Sequence, residues 1–144
     1  MIKVLSVKFP WCIYIIYGTK DVENRTWKYP QKYRGRLYIH CGKKMDQLAR
    51  IPFLIDRNKE QQLLKQNLWQ RGFRDIAGKI IGYVDLDDIR RNNVDSSWYT
   101  GDLALMLSNP VALPDPIPVR GQLGFFNVDD TILGLKTGEQ PNDT

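Results

Sequence analysis

Ten consecutive residues, Gly18-Thr-Lys-Asp-Val-Glu-Asn-Arg-Thr-Trp27, bring together an ammonium, a carboxylate, a guanidinium and an indole. On an extended strand, Glu23, Arg25 and Trp27 fall on one face at two-residue spacing, and Val22, Asn24 and Thr26 fall on the other. Lys20 precedes the strand, where a turn after Gly18 can aim it at the same space. Charges in a partly enclosed site must be paired or hydrogen-bonded. Such pairing can hold Lys20 and Arg25 as fixed donors for an anionic ligand. Arg25 suits phosphate or carboxylate because its planar fork is permanently charged. Glu23 can accept a hydrogen bond from the exocyclic amine of a base. In a catalytic version Lys20 is base or nucleophile and Glu23 shuttles the proton. Desolvation and Arg25 lower the lysine pKa for that task and Glu23 raises it. The structural alternative is a Glu23–Arg25 ion pair bracing a sheet, with Trp27 in the core.

His40 is the only histidine. It alternates with Leu37, Ile39 and Cys41, so it lies on the opposite strand face from them; it can titrate near neutral pH or serve as a hydrogen-bonded structural residue. No Asp–His–Ser or Cys–His spacing is readable. Cys12 and Cys41 are the only cysteines and form no CxxC pair. They read as reduced core thiols of a cytoplasmic protein. No metal site and no cofactor are expected.

The chain has 144 residues and a net charge of +5, a length that suits one domain. Residues 1–44 carry ten Lys/Arg against two acids, while residues 101–144 carry two against six. The first third also holds eight of the sixteen aromatic residues. Basic side chains attract phosphate and aromatic faces stack on unpaired bases. Lys28, Lys32 and Arg34, in a loop with Pro30 and Gly35, are candidates for following a nucleic-acid backbone. No apolar run approaches the roughly 20 residues of a membrane helix, and the first residues lack the pattern of a secretory signal.

The elements that must position these groups are short. Residues 4–9 read as a strand. Pro10 then opens a helix over 11–17, with Gly18 capping it at positive φ. Strands follow at 22–27 and 36–41. Residues 45–76 read as a largely helical insertion, interrupted at Pro52, recapped at Asp56 and closed by Gly72. Further strands are expected at 79–86, at 103–107 buried on both faces, at 111–113 and at 123–126, with Pro110, Pro114, Pro116 and Pro118 punctuating the connections. The expected fold is mainly β with helical additions: a small β-barrel of about six strands. Residues 1–128 form the domain, and 129–144 a polar C-terminal tail frayed from Lys136 onward.

The order Ser6-x-Lys8-x-Pro10-Trp11, Gly18-x-Lys20-x-x-Glu23-x-Arg25-x-Trp27, then Gly35 and Ile39-His40, resembles the ASCH domain family. Gly78-Lys-Ile-Ile-Gly82-Tyr-Val-Asp85, Trp98-Tyr-Thr-Gly101, Asn109-Pro110 and Arg120-Gly-Gln-Leu-Gly124 fit the same pattern. The resemblance implies a PUA-like barrel whose cleft binds RNA or a modified nucleotide. Lys20, Glu23 and Arg25 then line the cleft, with Trp11, Trp27 and His40 near it. Some members of that family are small amidohydrolases acting on acetylated cytidine. They have a Thr where this chain has Glu23, and their further catalytic Glu has no clear counterpart here. Others are credited with ribonuclease activity.

Overall fold

The computed structural model describes residues 1–46 and 68–137. Among these residues, six strands form one sheet: β1 (Ile2–Phe9), β2 (Val22–Arg25), β3 (Gly35–Met45), β4 (Lys79–Arg90), β5 (Leu103–Pro118) and β6 (Phe125–Val128). Their order is β2-β5-β4-β3-β1-β6. Every pairing is antiparallel except β1 with β3. Among the described residues, three helices accompany the sheet: α1 (Trp11–Tyr17), α2 (Leu68–Ile76) and α3 (Thr131–Thr137).

The sheet does not close by hydrogen bonds, since β2 and β6 each have one partner. It curls far enough for side chains to span the gap. Trp27, just past β2, meets Phe125 at the start of β6 edge to face at 5.1 Å, and Arg25 Nη2 donates to the Ser6 carbonyl of β1 at 2.8 Å. The body is therefore barrel-like with an unsealed seam. Register shifts between Ile80 and Gly82, Tyr83 and Asp85, and Leu86 and Asp88 bend β4 around it.

Alternation along β1 and β3 sorts their residues. Leu5, Val7, Phe9, Leu37, Ile39 and Cys41 fill the main core, joined by α1 through Cys12, Ile15 and Ile16. Both cysteines are buried and form no disulfide. Val4 and Tyr38 face the other way, into a second cluster with Ile80, Ile117 and Phe126. Ile132 and Leu133 of α3 cover that cluster, so the stretch expected as a tail opens with a packed helix.

Four details differ from the sequence-based expectation. Gly18 has φ −114°, so positive φ is not its role. A Cβ there would lie 2.9 Å from the Tyr14 carbonyl oxygen, and the glycine is needed for that close approach. Gly72 lies inside α2; Gly78, at φ +75°, makes the turn into β4. The expected strands at 103–107 and 111–113 are one continuous β5. Its first part sits between β2 and β4, but β2 ends its pairing at Met106, and beyond it the strand is an edge. A proline whose missing amide faces that open side forfeits no inter-strand hydrogen bond, so a proline-rich segment can continue the strand. The strand expected at 22–27 stops at Arg25. The breaks expected at Pro52 and Asp56 lie outside the described residues.

Gly82 supports the tightest packing of the curled sheet. A Cβ there would run into the Val111 carbonyl of β5 and lie 2.9 Å from Ile16 Cδ1 of α1. Neither the paired backbone nor the buried isoleucine can withdraw cheaply. Gly82→Ala is expected to lower stability by about 2 kcal/mol, read as a lower urea midpoint at unchanged slope.

Candidate functional site

The seam opens into a cavity of about 640 Å³, within the usual size of small-molecule sites. Ser6 and Lys8 of β1 form one wall, with Trp11 at the start of α1. Lys20 and residues 23–26 form the opposite wall. Two loops complete it, one through Trp98 and Thr100 and one through residues 122–124.

The β2 wall is built from strand parity and two anchors. Glu23 and Arg25 share a face, as their spacing requires. Asn24 clamps the Trp98 loop instead: its Nδ2 donates to the Trp98 carbonyl at 2.9 Å, and its Oδ1 accepts from the Thr100 amide at 3.0 Å. The Ser96 hydroxyl donates to Asp21 beside it. Lys20 is aimed by the chain leaving α1, where the Gly18 and Lys20 amides both donate to the Tyr14 carbonyl.

Glu23 is the hub of an ion triad. Its Oε2 accepts from Arg25 Nη2 at 2.8 Å and from Nε at 3.0 Å, and its Oε1 lies 3.3 Å from Lys20 Nζ. Lys20 and Glu23 are only 6% and 7% exposed, so each charge depends on the other. Lys20 also donates to the Val22 carbonyl and has its ammonium 5.8 Å from the Trp98 ring centroid. Burial pulls the Lys20 pKa below its ordinary value, and the Glu23 carboxylate opposes that pull. Arg25 commits Nε and Nη2 to Glu23 and the Ser6 carbonyl, leaving Nη1 without a partner among the described residues. The triad carries one net positive charge at the cavity wall. Trp11 stands by it half-buried, its Nε1 donating to Asp46 Oδ2 at 2.9 Å.

The structure thus gathers Trp11, Lys20, Glu23 and Arg25 around one cavity. It places the other predicted residues elsewhere. Trp27 packs against the main core and Phe125, with the Arg25 guanidinium 5.7 Å from its ring centroid. His40 is fully buried behind β1. Lys28, Lys32 and Arg34 are exposed on the loop between β2 and β3 and do not line the cavity. Arg34 is partly engaged, donating to the Gln31 and Tyr33 carbonyls and lying 3.5 Å from Asp88.

Reading residues 18–27 alone misses the Ser6, Asn24, Trp98 and Leu123 contributions. Parity assigns Asn24 to the far face, which holds for a strand inside a sheet; here β2 is an edge and a loop folds over it. Leu123 is 99% exposed at the rim, an apolar side chain that nothing in a loop sequence distinguishes.

The sequence matches the ASCH domain over residues 5–109, nearly three quarters of the chain. The chain belongs to the ASCH domain family. Crystal structures of two mutants of ZmASCH, a protein from Zymomonas mobilis, share the fold of this ASCH chain. One superposes with a TM-score of 0.51 at 13% identity, covering 96% of this chain and 97% of that one. The other gives 0.52 at 13% identity, with 94% of each chain covered. No curated protein sequence matches the chain. The matched segment of the ASCH domain contains Lys20, Glu23, Arg25 and the Trp98 loop, while the rim residues 122–124 lie beyond it. Among the described residues, no helix is long and apolar enough to cross a membrane, and no three His, Cys, Asp or Glu side chains are grouped to hold a metal ion.

Proposed function

We propose that this ASCH domain binds RNA, or a single modified nucleotide, with one base or nucleotide seated in the seam cavity. The observation that carries the reading is the union, in one 640 Å³ cavity, of a braced Lys20–Glu23–Arg25 triad and the Trp11 indole. Arg25 offers its remaining donor to a phosphate or carbonyl oxygen. Trp11 and Leu123 supply apolar surface for the base; stacking of this kind is worth about 1–3 kcal/mol per base. Glu23 holds its two cations and keeps one acceptor position on Oε1 for an exocyclic amine. Trp27 acts by buttressing Arg25 and the seam. Lys28 and Lys32 are free to meet a backbone continuing outside the cavity.

Calorimetric titration of the wild type with nucleoside monophosphates and with a short single-stranded RNA tests this. Both are expected to bind. In the Lys28→Ala/Lys32→Ala variant, RNA affinity is expected to fall and its logarithmic salt slope to shrink by about 1.4. Mononucleotide affinity is expected to hold. Absence of binding by either ligand would remove the reading.

A second reading is favoured by the burial of Lys20 at the cavity wall, which pulls its pKa down. A lysine so tuned can act as base or nucleophile in hydrolysis of an N-acylated nucleoside or of RNA. Incubation with N4-acetylcytidine and with labelled RNA, beside Lys20→Ala, decides it: turnover that disappears with the lysine supports hydrolysis, and none on either substrate dismisses it.

A further inference from the structure

The parallel pairing of β1 with β3 sets Ser6 opposite His40. Their side chains meet: Ser6 Oγ lies 2.9 Å from His40 Nδ1, and His40 Nε2 lies 2.7 Å from the Val119 carbonyl oxygen. A carbonyl only accepts, so Nε2 carries the proton and donates to Val119. Nδ1 is then an acceptor, and the Ser6 hydroxyl donates to it. This is the geometry of a nucleophile–base pair with the base oriented by a third group, an arrangement that can activate a serine. The order of the ring nitrogens is reversed from the usual triad, and the orienting group is a neutral carbonyl.

The pair is held in place. His40 is 1% exposed, with its ring edge-on to Phe126 at 6.2 Å. The Gly121 backbone presses so close that a Cβ there would lie 2.9 Å from His40 Cε1 and 3.4 Å from Ser6 Oγ. Ser6, by contrast, is half-buried and lines the seam cavity. The Arg25 guanidinium, 2.8 Å from the Ser6 carbonyl, puts a cation beside the same residue. A buried base, the hydroxyl of a cavity-lining residue and a neighbouring cation are the components of acyl transfer.

We infer that Ser6 is a nucleophile, activated by His40, that takes the acyl group of a carboxylic ester bound in the seam cavity. Ser6 Oγ bonds to the ester carbonyl carbon as its proton passes to His40 Nδ1. The tetrahedral adduct collapses, the C–O bond to the leaving alcohol breaks, and that oxygen takes the proton back from His40. Water, deprotonated by the same nitrogen, then releases the carboxylic acid and restores the serine. Arg25 favours the transient oxyanion. The step does not depend on nucleotide recognition.

A fluorophosphonate probe tests it on the whole chain, because Ser6 Oγ attacks its phosphorus, fluoride leaves, and a stable adduct remains. Intact mass and peptide mapping are expected to show one adduct, on Ser6, at pH 8. It disappears in Ser6→Ala and forms at least 100-fold more slowly in His40→Asn, with folding of each variant checked by circular dichroism. If His40→Asn does not fold, the pH profile of the wild type decides. Burial holds the His40 pKa below its ordinary value and Lys43 adds to this, while the backbone at Val119 and Gly78 opposes it. The labelling rate is therefore expected to rise along one ionisation centred below about 6.5. Absence of a Ser6 adduct, an adduct that survives Ser6→Ala, an unchanged rate in His40→Asn, or a flat profile from pH 5 to 8 each overturns the inference. None of these outcomes touches the nucleotide titrations.

Discussion

Glu23→Gln is expected to lower stability by about 3–5 kcal/mol, the cost of breaking a buried ion pair from one side. The glutamine keeps the shape and removes the charge that two cations share. Arg25 is 22% exposed in its side chain and can recover water; Lys20, at 4%, cannot. Its ammonium would keep only neutral partners, the Val22 carbonyl, an amide oxygen and the Trp98 face, and lose its counter-charge. Lys20→Met removes the buried cation itself and leaves the Glu23–Arg25 pair intact, so it is expected to cost clearly less. Urea unfolding at pH 7 compares the two, and a Lys20→Met loss equal to that of Glu23→Gln would contradict the role given to the carboxylate.

The pH dependence carries the same information. Where a lysine pKa is lower in the folded chain, the unfolded chain binds more protons between that value and about 10.5, so stability rises with pH across that window. Lys20 is in this position in the wild type. Removing Glu23 takes away the main opposing influence, so the window widens and the rise steepens. Glu23→Gln is therefore expected to regain part of its loss as pH climbs toward about 10.

Arg25→Met is expected to weaken mononucleotide binding about 30-fold, which corresponds to about 2 kcal/mol and lies in the range of a charge-assisted hydrogen bond. Arg25→Lys is expected to recover little of it. A lysine restores charge but cannot brace against Glu23 and the Ser6 carbonyl while reaching a ligand. Arg25 also ties β2 to β1, so calorimetry must run well below the unfolding temperature of each variant. Unchanged affinity in a folded Arg25→Met would exclude the guanidinium from the binding site.

Much of this architecture can be read along the chain because it rests on local chemistry. The helix over 11–17 follows Pro10 and ends where Gly18 lets the backbone close on Tyr14. The double-sided burial of the segment around Leu105 shows in its uninterrupted apolar residues. The prolines of β5 mislead because a proline marks the end of a strand only where its amide is needed, and that depends on how far β2 runs beside it. Trp27 misleads because parity continues only as long as the strand does, and β2 ends at Arg25. His40 and Ser6 stand 34 positions apart, and no spacing rule joins them; a parallel register does.

Which charges share a face follows from the order of residues along β2 alone. Side chains two apart on a strand must project together, so Glu23 and Arg25 were bound to meet wherever β2 lay. That they meet at a hollow depends on how the strands assemble. The sheet curls without sealing, and the gap between β2 and β1 becomes a cavity with Ser6 on one wall and Lys20 buried in the other. Alternation is a property of one strand, whereas a seam is a property of how far six strands twist before their edges meet.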